Sequence, residues 1–190
     1  EAEGFTERTG IQLVSDHVFA AMSDTKTPQG VLGIVRRAEY TAETLMGQAA
    51  PFLMVLDNLQ DPGNLGTIFG IVMSRDCVDI YNPKTIRSTM GAIYRMPFLI
   101  AENLPGMIRQ LKKKKIGVYA AHLDGKNTYD QEDYAGGCAF LIGNEGNGLR
   151  QEVADCADTW IRIPMAGQVE SLNAAVASAV LMFEVSRQRR

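Results

Sequence analysis

Residues 140–149 read FLIGNEGNGL and hold both of the signals that decide the fold. The apolar run Ala139–Ile142 has the length and composition of a buried strand, and the glycines after it, Gly143, Gly146 and Gly148, predict a tight turn into a helix. Their order is the reverse of the GxGxxG of dinucleotide-binding folds, which disfavours a Rossmann oxidoreductase. By itself the loop is weak evidence for a ligand site, because many strand-to-helix turns use such glycines.

Outward from this stretch, apolar strands alternate with helices along most of the chain. The other predicted strands are Val31–Val35, Phe52–Leu56, Gly70–Met73, Phe98–Ala101, Ile116–Ala121 and Trp160–Ile163. The predicted helices are Lys84–Tyr94, Leu104–Lys115, Gly148–Ala157 and Ser171–Arg187. Continuous apolar strands separated by helices indicate an α/β fold with a mostly parallel sheet and helices on both faces.

Two further segments repeat the order of strand, polar turn and helix. They read LDNLQDPGNLGTIF at 56–69 and IRIPMAGQVESLNAAVASAV at 161–180. Because ligands of open α/β sheets bind where strands end, we expect the polar residues of all three segments to share one edge of the sheet. These residues are Asn64, Glu145, Ser171 and Asn173. Capping of a helix N-terminus is the alternative role for Asn64 and Ser171.

The bulk composition is that of a soluble domain, with 46% hydrophobic residues in 190. No apolar run approaches the roughly 20 residues of a membrane helix, and the first stretch, EAEGFTERTG, is unlike a signal peptide, so a cytoplasmic protein is expected. The formal net charge of −3 disfavours a protein that coats nucleic acid, which makes any RNA contact local. The separated cysteines Cys77, Cys138 and Cys156 predict buried free thiols and no metal site.

The segments DPGNLGTI, FLIGNEGNGL and IPMAGQVESLN resemble, in order and spacing, the three signature motifs of the SpoU/TrmH branch of the SPOUT RNA methyltransferases. The likeness runs from about Thr27 to Arg187 and includes TPQGVL and the stretch YNPKTIRSTMGAIYRMPF at 81–98. It implies methyl transfer from S-adenosylmethionine to a ribose 2′-hydroxyl of RNA, with ribosomal RNA the first choice and tRNA the second. It also implies a homodimer and a C-terminal deep trefoil knot, an exception to the rule against knots.

The resemblance assigns roles to residues by their position in these motifs. The residues implied to contact S-adenosylmethionine or line its pocket are Ile142, Gly143, Asn144, Gly146, Ile163, Met165 and Leu172. The implied catalytic set is Asn64, Glu145, Ser171 and Asn173, with no metal. Arg87 and Arg150 are the candidates for contacts with RNA phosphate. Lys112–Lys115 are a weaker candidate, since lysines at a helix end also suit its dipole.

The first motif departs from the family pattern. That pattern continues from NLGxIx into an Arg-Thr-Ala run whose Arg would activate the ribose hydroxyl, whereas this chain reads Phe69-Gly70. The stretch Asn64–Phe69 is also short for the helix of a parallel crossover. An omission of about nine residues would account for both anomalies. A genuine deletion would favour the alternative function, a non-catalytic RNA-binding dimer of the same fold.

The N-terminal segment and the last helix each suggest a binding partner, RNA for the first and a second subunit for the other. Residues 1–37 contain a helix that begins at Ser15, and many members of the family carry an N-terminal RNA-recognition domain. The resemblance therefore implies that residues 1–37 are the tail of such a module or a linker, and that residues 38–190 form the knotted methyltransferase domain. The last helix is apolar on all sides, and Ala174, Ala177 and Leu181 are predicted to leave a face for a second subunit.

Overall fold

A computed structural model of the chain describes residues 10–23, 25–68, 71–165 and 171–190. The chain divides into two units, Glu1–Arg37 and Ala38–Arg190. In the first unit, helix α1 (Asp16–Met22) follows Ser15, as the sequence predicts, and buries none of its residues. The strand predicted at Val31–Val35 is wrong, because these residues form no regular structure. A β-branched run becomes a strand only when packing and a paired neighbour support it, and Val31 and Ile34 are 84% and 93% exposed.

The second unit is built on a seven-stranded sheet in the order β3-β2-β1-β6-β4-β7-β5. All of its strand pairs are parallel. The strands are β1 (Phe52–Leu56), β2 (Ile71–Ser74), β3 (Phe98–Ala101), β4 (Gly117–Ala121), β5 (Asn127–Thr128), β6 (Cys138–Ile142) and β7 (Thr159–Arg162). The predicted parallel α/β fold is confirmed. The short strand β5 was not predicted from the sequence, and the run predicted at 31–35 is not part of the sheet.

Helices cover both faces of the sheet. They are α2 (Ala42–Met46), α3 (Pro62–Thr67), α4 (Pro83–Ser88), α5 (Leu104–Lys113), α6 (Gln151–Ala154) and α7 (Ala174–Gln188), with 3₁₀ turns at Ala92–Tyr94 and Tyr129–Gln131. Because side chains alternate along a strand, β1 directs Met54 and Leu56 into the core that includes residues of α3 and α7. Leu53 and Val55 face the core that includes residues of α5 and α6. Among the described residues, no helix is long and apolar enough to cross a membrane.

All four predicted helices have different bounds in the structure, although α5 differs only in ending two residues early, at Lys113. The helix predicted at Lys84–Tyr94 is split, because Met90 and Gly91 take φ angles of 50° and 82°, which an α-helix does not allow. The helix predicted at Gly148–Ala157 shortens to α6. The last helix begins at Ala174 instead of Ser171, since the side chain of Asn173 caps it.

The connection between β1 and β2 contains one short helix. Met54 lies beside Ile71 in the parallel pair, and the six-residue helix α3 makes the return. The prediction that residues are missing near Phe69 stays a prediction, because the connection runs through positions whose structure is not described. Phe69 and Gly70 lie outside the described residues.

Helix α7 presents a different exposed face from the one predicted. Ala174 and Leu181 are 8% and 0% exposed and pack into the chain's own core, which corrects their assignment to a second subunit. The exposed apolar residues of this helix are Val176 and Phe183, at 49% and 73%. An unpartnered apolar face therefore exists on α7, carried by Val176 and Phe183.

The end of α7 is hydrogen-bonded to the loops that precede the central strands β1 and β6. The Arg189 guanidinium donates to the carbonyl oxygens of Ala50 and Tyr134, at 2.9 Å in each case, and also to that of Gly136. The Gln188 side chain donates to the Glu132 carbonyl at 2.9 Å. These bonds hold the last turn of the helix beside the starts of β1 and β6.

Candidate active site

Glu145 joins the loop after β6 to the loop after β1. Its carboxylate accepts hydrogen bonds from the backbone N–H groups of Gln60 (3.1 Å) and Asp61 (2.9 Å) and from Nδ2 of Asn64 (3.0 Å). The carboxyl ends of β1 and β6 are adjacent in the sheet, which explains how residues so far apart in sequence meet. Two of the three predicted segments are therefore in direct contact.

The third segment joins them through Asn173. Its Nδ2 donates to Oδ1 of Asn64 at 2.9 Å, while its own Oδ1 accepts from the backbone N–H groups of Ala175 and Val176 at the start of α7. Asn64 is 7% exposed. The predicted polar residues Asn173, Asn64 and Glu145 thus form one continuous hydrogen-bonded chain, which we call the polar chain.

The capping alternatives are both wrong. Helix α3 is capped by Asp61, whose side chain accepts from the N–H of Asn64 at 2.8 Å. Helix α7 begins after Asn173, so Ser171 lies outside the helix. Ser171 is exposed, and within the described part of the chain its side chain makes no hydrogen bond.

The hydrogen bonds of Glu145 favour its ionised form. Partial burial by itself raises the pKa of this carboxyl, but the bonds from the Asn64 amide and from the backbone of Asp61 and Gln60 outweigh burial and lower the pKa below its ordinary value. Glu145 is therefore a negative charge fixed beside the Asn64 amide at neutral pH.

The loop that follows β6 is a closed turn with no room for a side chain at its base. The backbones of Asn144 and Gly148 exchange two hydrogen bonds, at 3.0 and 2.9 Å, and Oδ1 of Asn144 accepts from the N–H groups of Gly146 and Asn147. A Cβ on Gly143 would lie 2.1 Å from the carbonyl carbon of Gly148. The site therefore requires glycine at position 143.

The remaining predicted cofactor residues fall into two groups. Ile142 and Ile163 belong to or contact the hydrophobic core, whereas Met165 and Leu172 flank the undescribed residues 166–170. Ile142 ends β6 and is 4% exposed, and Ile163, just past β7, packs against the same core cluster. Met165 and Leu172 are partly buried. The loop Gly167–Glu170 lies outside the described residues.

The two predicted RNA-binding arginines have different surroundings. Arg87 lies exposed on α4. Arg150 follows the glycine loop and donates from Nε to Oδ1 of Asp57 at 2.8 Å, and its Nη1 lies 3.1 Å from Oδ2 of Asp76. Its side chain is nevertheless 42% exposed.

The described residues hold no cluster of three or more His, Cys, Asp or Glu side chains that could bind a metal ion. The cysteines are free, with Cys138 buried and Cys77 and Cys156 partly buried. Burial raises the pKa of the Cys138 thiol to about 11. This thiol is therefore protonated and unreactive at neutral pH.

The family model described as the SpoU rRNA Methylase family matches residues 51–183. The chain belongs to the SpoU rRNA Methylase family. It is 32% identical over 188 residues to the 23S rRNA (guanosine(2553)-2'-O)-methyltransferase RlmP of Bacillus subtilis, covering 93% of this chain and 73% of that protein. It is also 32% identical over 196 residues to the 23S rRNA (guanosine-2'-O-)-methyltransferase RlmB of Shewanella oneidensis, with coverage of 96% and 80%.

Solved structures agree with this membership in the SpoU family. The AdoMet-bound rRNA methyltransferase from Sinorhizobium meliloti superposes with a TM-score of 0.79 and 30% identity, over 91% of this chain and 70% of that one. The family resemblance carried by the three motifs is confirmed.

Asp57, at the carboxyl edge of the sheet, is a residue that the sequence did not predict for the site. Asp57 follows directly on β1 and is 0% exposed, and its carboxylate accepts from the backbone N–H of Arg150 at 2.9 Å as well as from the guanidinium. The available signal was an acidic residue directly after a buried strand at the ligand edge of the sheet. Its partner lies 93 positions away, which no local pattern reveals.

Proposed function

We propose that this chain is an S-adenosylmethionine-dependent methyltransferase that acts on a ribose 2′-hydroxyl of RNA, with ribosomal RNA as the substrate class. The observation that carries the proposal is the polar chain Asn173–Asn64–Glu145, which stands beside the glycine loop 143–149 at the carboxyl edge of the sheet. Relatives named as 23S rRNA 2'-O-methyltransferases support the choice of RNA.

The loop after β6 fits S-adenosylmethionine because it presents backbone where a ligand can approach closely. Gly146 and Gly148 leave room beside their backbone, whereas Gly143 lets the loop close on itself. The partly exposed Ile163 and Leu172 offer apolar surface, and we assign the buried Ile142 to the wall of the same pocket. The cofactor supplies a methyl group bound to a sulfonium. We assign Gly143, Asn144, Gly146 and Met165 to the same pocket.

The hydrogen-bond capacity of the two asparagines indicates what they do. Asn64 donates one N–H to Glu145 and accepts from Asn173, which leaves it one N–H and one lone pair. Asn173 retains one N–H after donating to Asn64. These free groups can hold the ribose hydroxyl and a neighbouring phosphate in line with the donor methyl. In this proposal Glu145 acts by fixing Asn64, and we assign Ser171 to the proton network from its position in the third motif.

The absent motif arginine keeps the rival function open. The next arginine along the chain is Arg75, which follows β2 and pairs with Glu102 at 2.7 Å. If no other base removes the hydroxyl proton, the chain is a non-catalytic RNA-binding dimer of the same fold. Intact-mass measurement of the purified protein decides whether about nine further residues, the length inferred from the family pattern, stand between Phe69 and Gly70.

The proposal includes a homodimer and a C-terminal trefoil knot. The exposed pair Val176 and Phe183 gives α7 an apolar face that a second subunit would cover. In the sheet, β7 is separated from β1 by β4 and β6, yet Asn173, which follows β7, contacts Asn64, which follows β1. This meeting of residues that follow β1 and β7 supports the knot.

Calorimetry with S-adenosylmethionine tests the proposal, with and without a chelator. We expect micromolar binding that the chelator does not change, because the described residues hold no cluster of three or more His, Cys, Asp or Glu side chains suited to a metal ion. Incorporation of tritiated methyl into RNA from a strain that lacks the gene then tests catalysis. Binding without transfer would favour the rival, and absence of cofactor binding would exclude the proposal.

A further inference from the structure

The segment Ile80–Ala101 carries the charge that a negatively charged chain needs in order to bind RNA. It contains three basic residues, Lys84, Arg87 and Arg95, and no acidic residue, within a chain of formal net charge −3. All three are exposed. Among the described residues, none of their side chains forms an ion pair or hydrogen bond.

The same segment exposes large apolar side chains between these cations. Tyr94 is 61% exposed, Met90 is 88% exposed and Met96 is 39% exposed. Met90 has a φ of 50°, an angle that side-chain-bearing residues adopt rarely and at a cost. Such strain around a solvent-facing apolar group is typical of a binding surface. Burial of Ile93 beneath the turn holds Tyr94 outward.

The surface is fixed relative to the polar chain. Helix α4 packs on α3, and a Cβ on Gly66 would lie 1.9 Å from Oγ of Ser88. Ser88 also donates to the carbonyl oxygen of Pro62 at 2.8 Å. Since α3 carries Asn64, the basic segment on α4 and the turn after it stand next to the proposed reaction site.

We infer that Arg87, Tyr94 and Arg95 form a docking surface for the single-stranded RNA that flanks the target nucleotide. Tyr94 stacks on an unpaired base, and the two arginines bind adjacent phosphates, which is how proteins hold single-stranded RNA. The inference rests on the proposed function for the identity of RNA as substrate. Lys112 is less suited to this role, because it pairs with Asp158 at 2.8 Å.

Fluorescence anisotropy tests the surface without requiring turnover. The probe is a fluorescein-labelled single-stranded RNA of about twelve nucleotides, a typical site size. The full chain is titrated into a fixed concentration of this RNA, and the titration is repeated over a series of salt concentrations. Tyr94→Ala should weaken binding at least about fivefold, and Tyr94→Phe should not, because stacking is retained. Arg87→Gln and Arg95→Gln should each weaken binding and reduce the salt slope by about 0.7.

The matched control is Arg109→Gln, which removes an exposed cation from α5 on the opposite face of the sheet. It should change binding less than about twofold. S-adenosylmethionine affinity and sedimentation mass should be the same in all variants.

Three results would overturn the inference. They are equal binding by Tyr94→Ala and wild type, no binding of the probe by wild type, and conversion of a wild-type dimer to monomers by Tyr94→Ala, which would give this surface to a second copy. Loss of cofactor binding in wild type would instead refute the proposed function and leave the RNA measurement valid.

Discussion

Nδ2 of Asn173 lies 2.9 Å from Oδ1 of Asn64, although 109 positions separate the two residues. The contact closes the polar chain that ends on Glu145, and each of the chain's two amides keeps an N–H for a further hydrogen bond. The first prediction follows from this arrangement.

Asn64→Ala should reduce methyl transfer at least about a hundredfold, because it removes an orienting group from the reaction site. Tritiated methyl incorporation into unmodified RNA measures the rate. The matched control is Asn103→Ala, since Asn103 caps α5 by accepting from Gly106 N–H at 2.8 Å. That variant should lose about 1 kcal/mol of stability and keep its rate. Normal transfer by Asn64→Ala would refute its catalytic assignment.

Glu145→Gln should slow transfer similarly and should also change the pH dependence of stability. The folded-state pKa of Glu145 is lowered, so its stabilisation is present above the unfolded pKa and is lost as pH falls through the folded pKa. The difference in Tm between wild type and variant should therefore be largest near about pH 7 and shrink below about pH 4. A constant difference across that range in thermal melts would show that the charge contributes nothing.

Arg150→Met should destabilise the fold more than Asp57→Asn. Asp57 is 0% exposed, so removal of the guanidinium leaves a buried carboxylate without its counter-charge, at a cost of about 3 kcal/mol or more. Asp57→Asn leaves a 42% exposed Arg150 side chain that water can solvate, and it should cost about 1 kcal/mol. Urea denaturation gives both values. The reverse order would contradict a role for the pair in stability.

Phe183→Arg should convert the proposed dimer to monomers without unfolding the chain, because Phe183 is 73% exposed. Sedimentation gives the mass, and a thermal melt checks the fold. Leu123→Arg, at a position 62% exposed elsewhere on the surface, is the matched control and should leave the mass unchanged. An unchanged mass for Phe183→Arg would place the interface elsewhere.

By contrast, Leu181→Ala should lower the free energy of unfolding by about 2–5 kcal/mol, since Leu181 is fully buried.

The sequence was most informative where local pattern and long-range structure agree. β1 and β3 begin and end where their apolar runs predict, because a strand inside a parallel sheet is buried on both faces. The run at 31–35 misled because apolar pattern alone does not supply a neighbouring strand. The inward face of α7 was misassigned for a related reason. A helix that is apolar all round gives no periodic signal, so packing alone selects Leu181 over Phe183.

The site shows the same division. The meeting of Asn64, Glu145 and Asn173 was predictable from the rule that ligands bind at the ends of parallel strands. The partners of each side chain were not, since the start of α7 depends on how Asn173 shares its oxygen between two backbone N–H groups. Asp57 was missed because its partner is known only from the folded chain.

The anchoring of α7 by Arg189 has a consequence for biosynthesis. Asn173 reaches Asn64 from a helix whose far end is held by carbonyl groups of Ala50, Tyr134 and Gly136. A nascent chain interrupted before Arg189 can pair all seven strands, yet it lacks the hydrogen bonds that hold the end of α7. The Arg189 bonds therefore form only after the rest of α7 has been synthesised, and chains terminated before Arg189 should hold Asn173 less firmly beside Asn64.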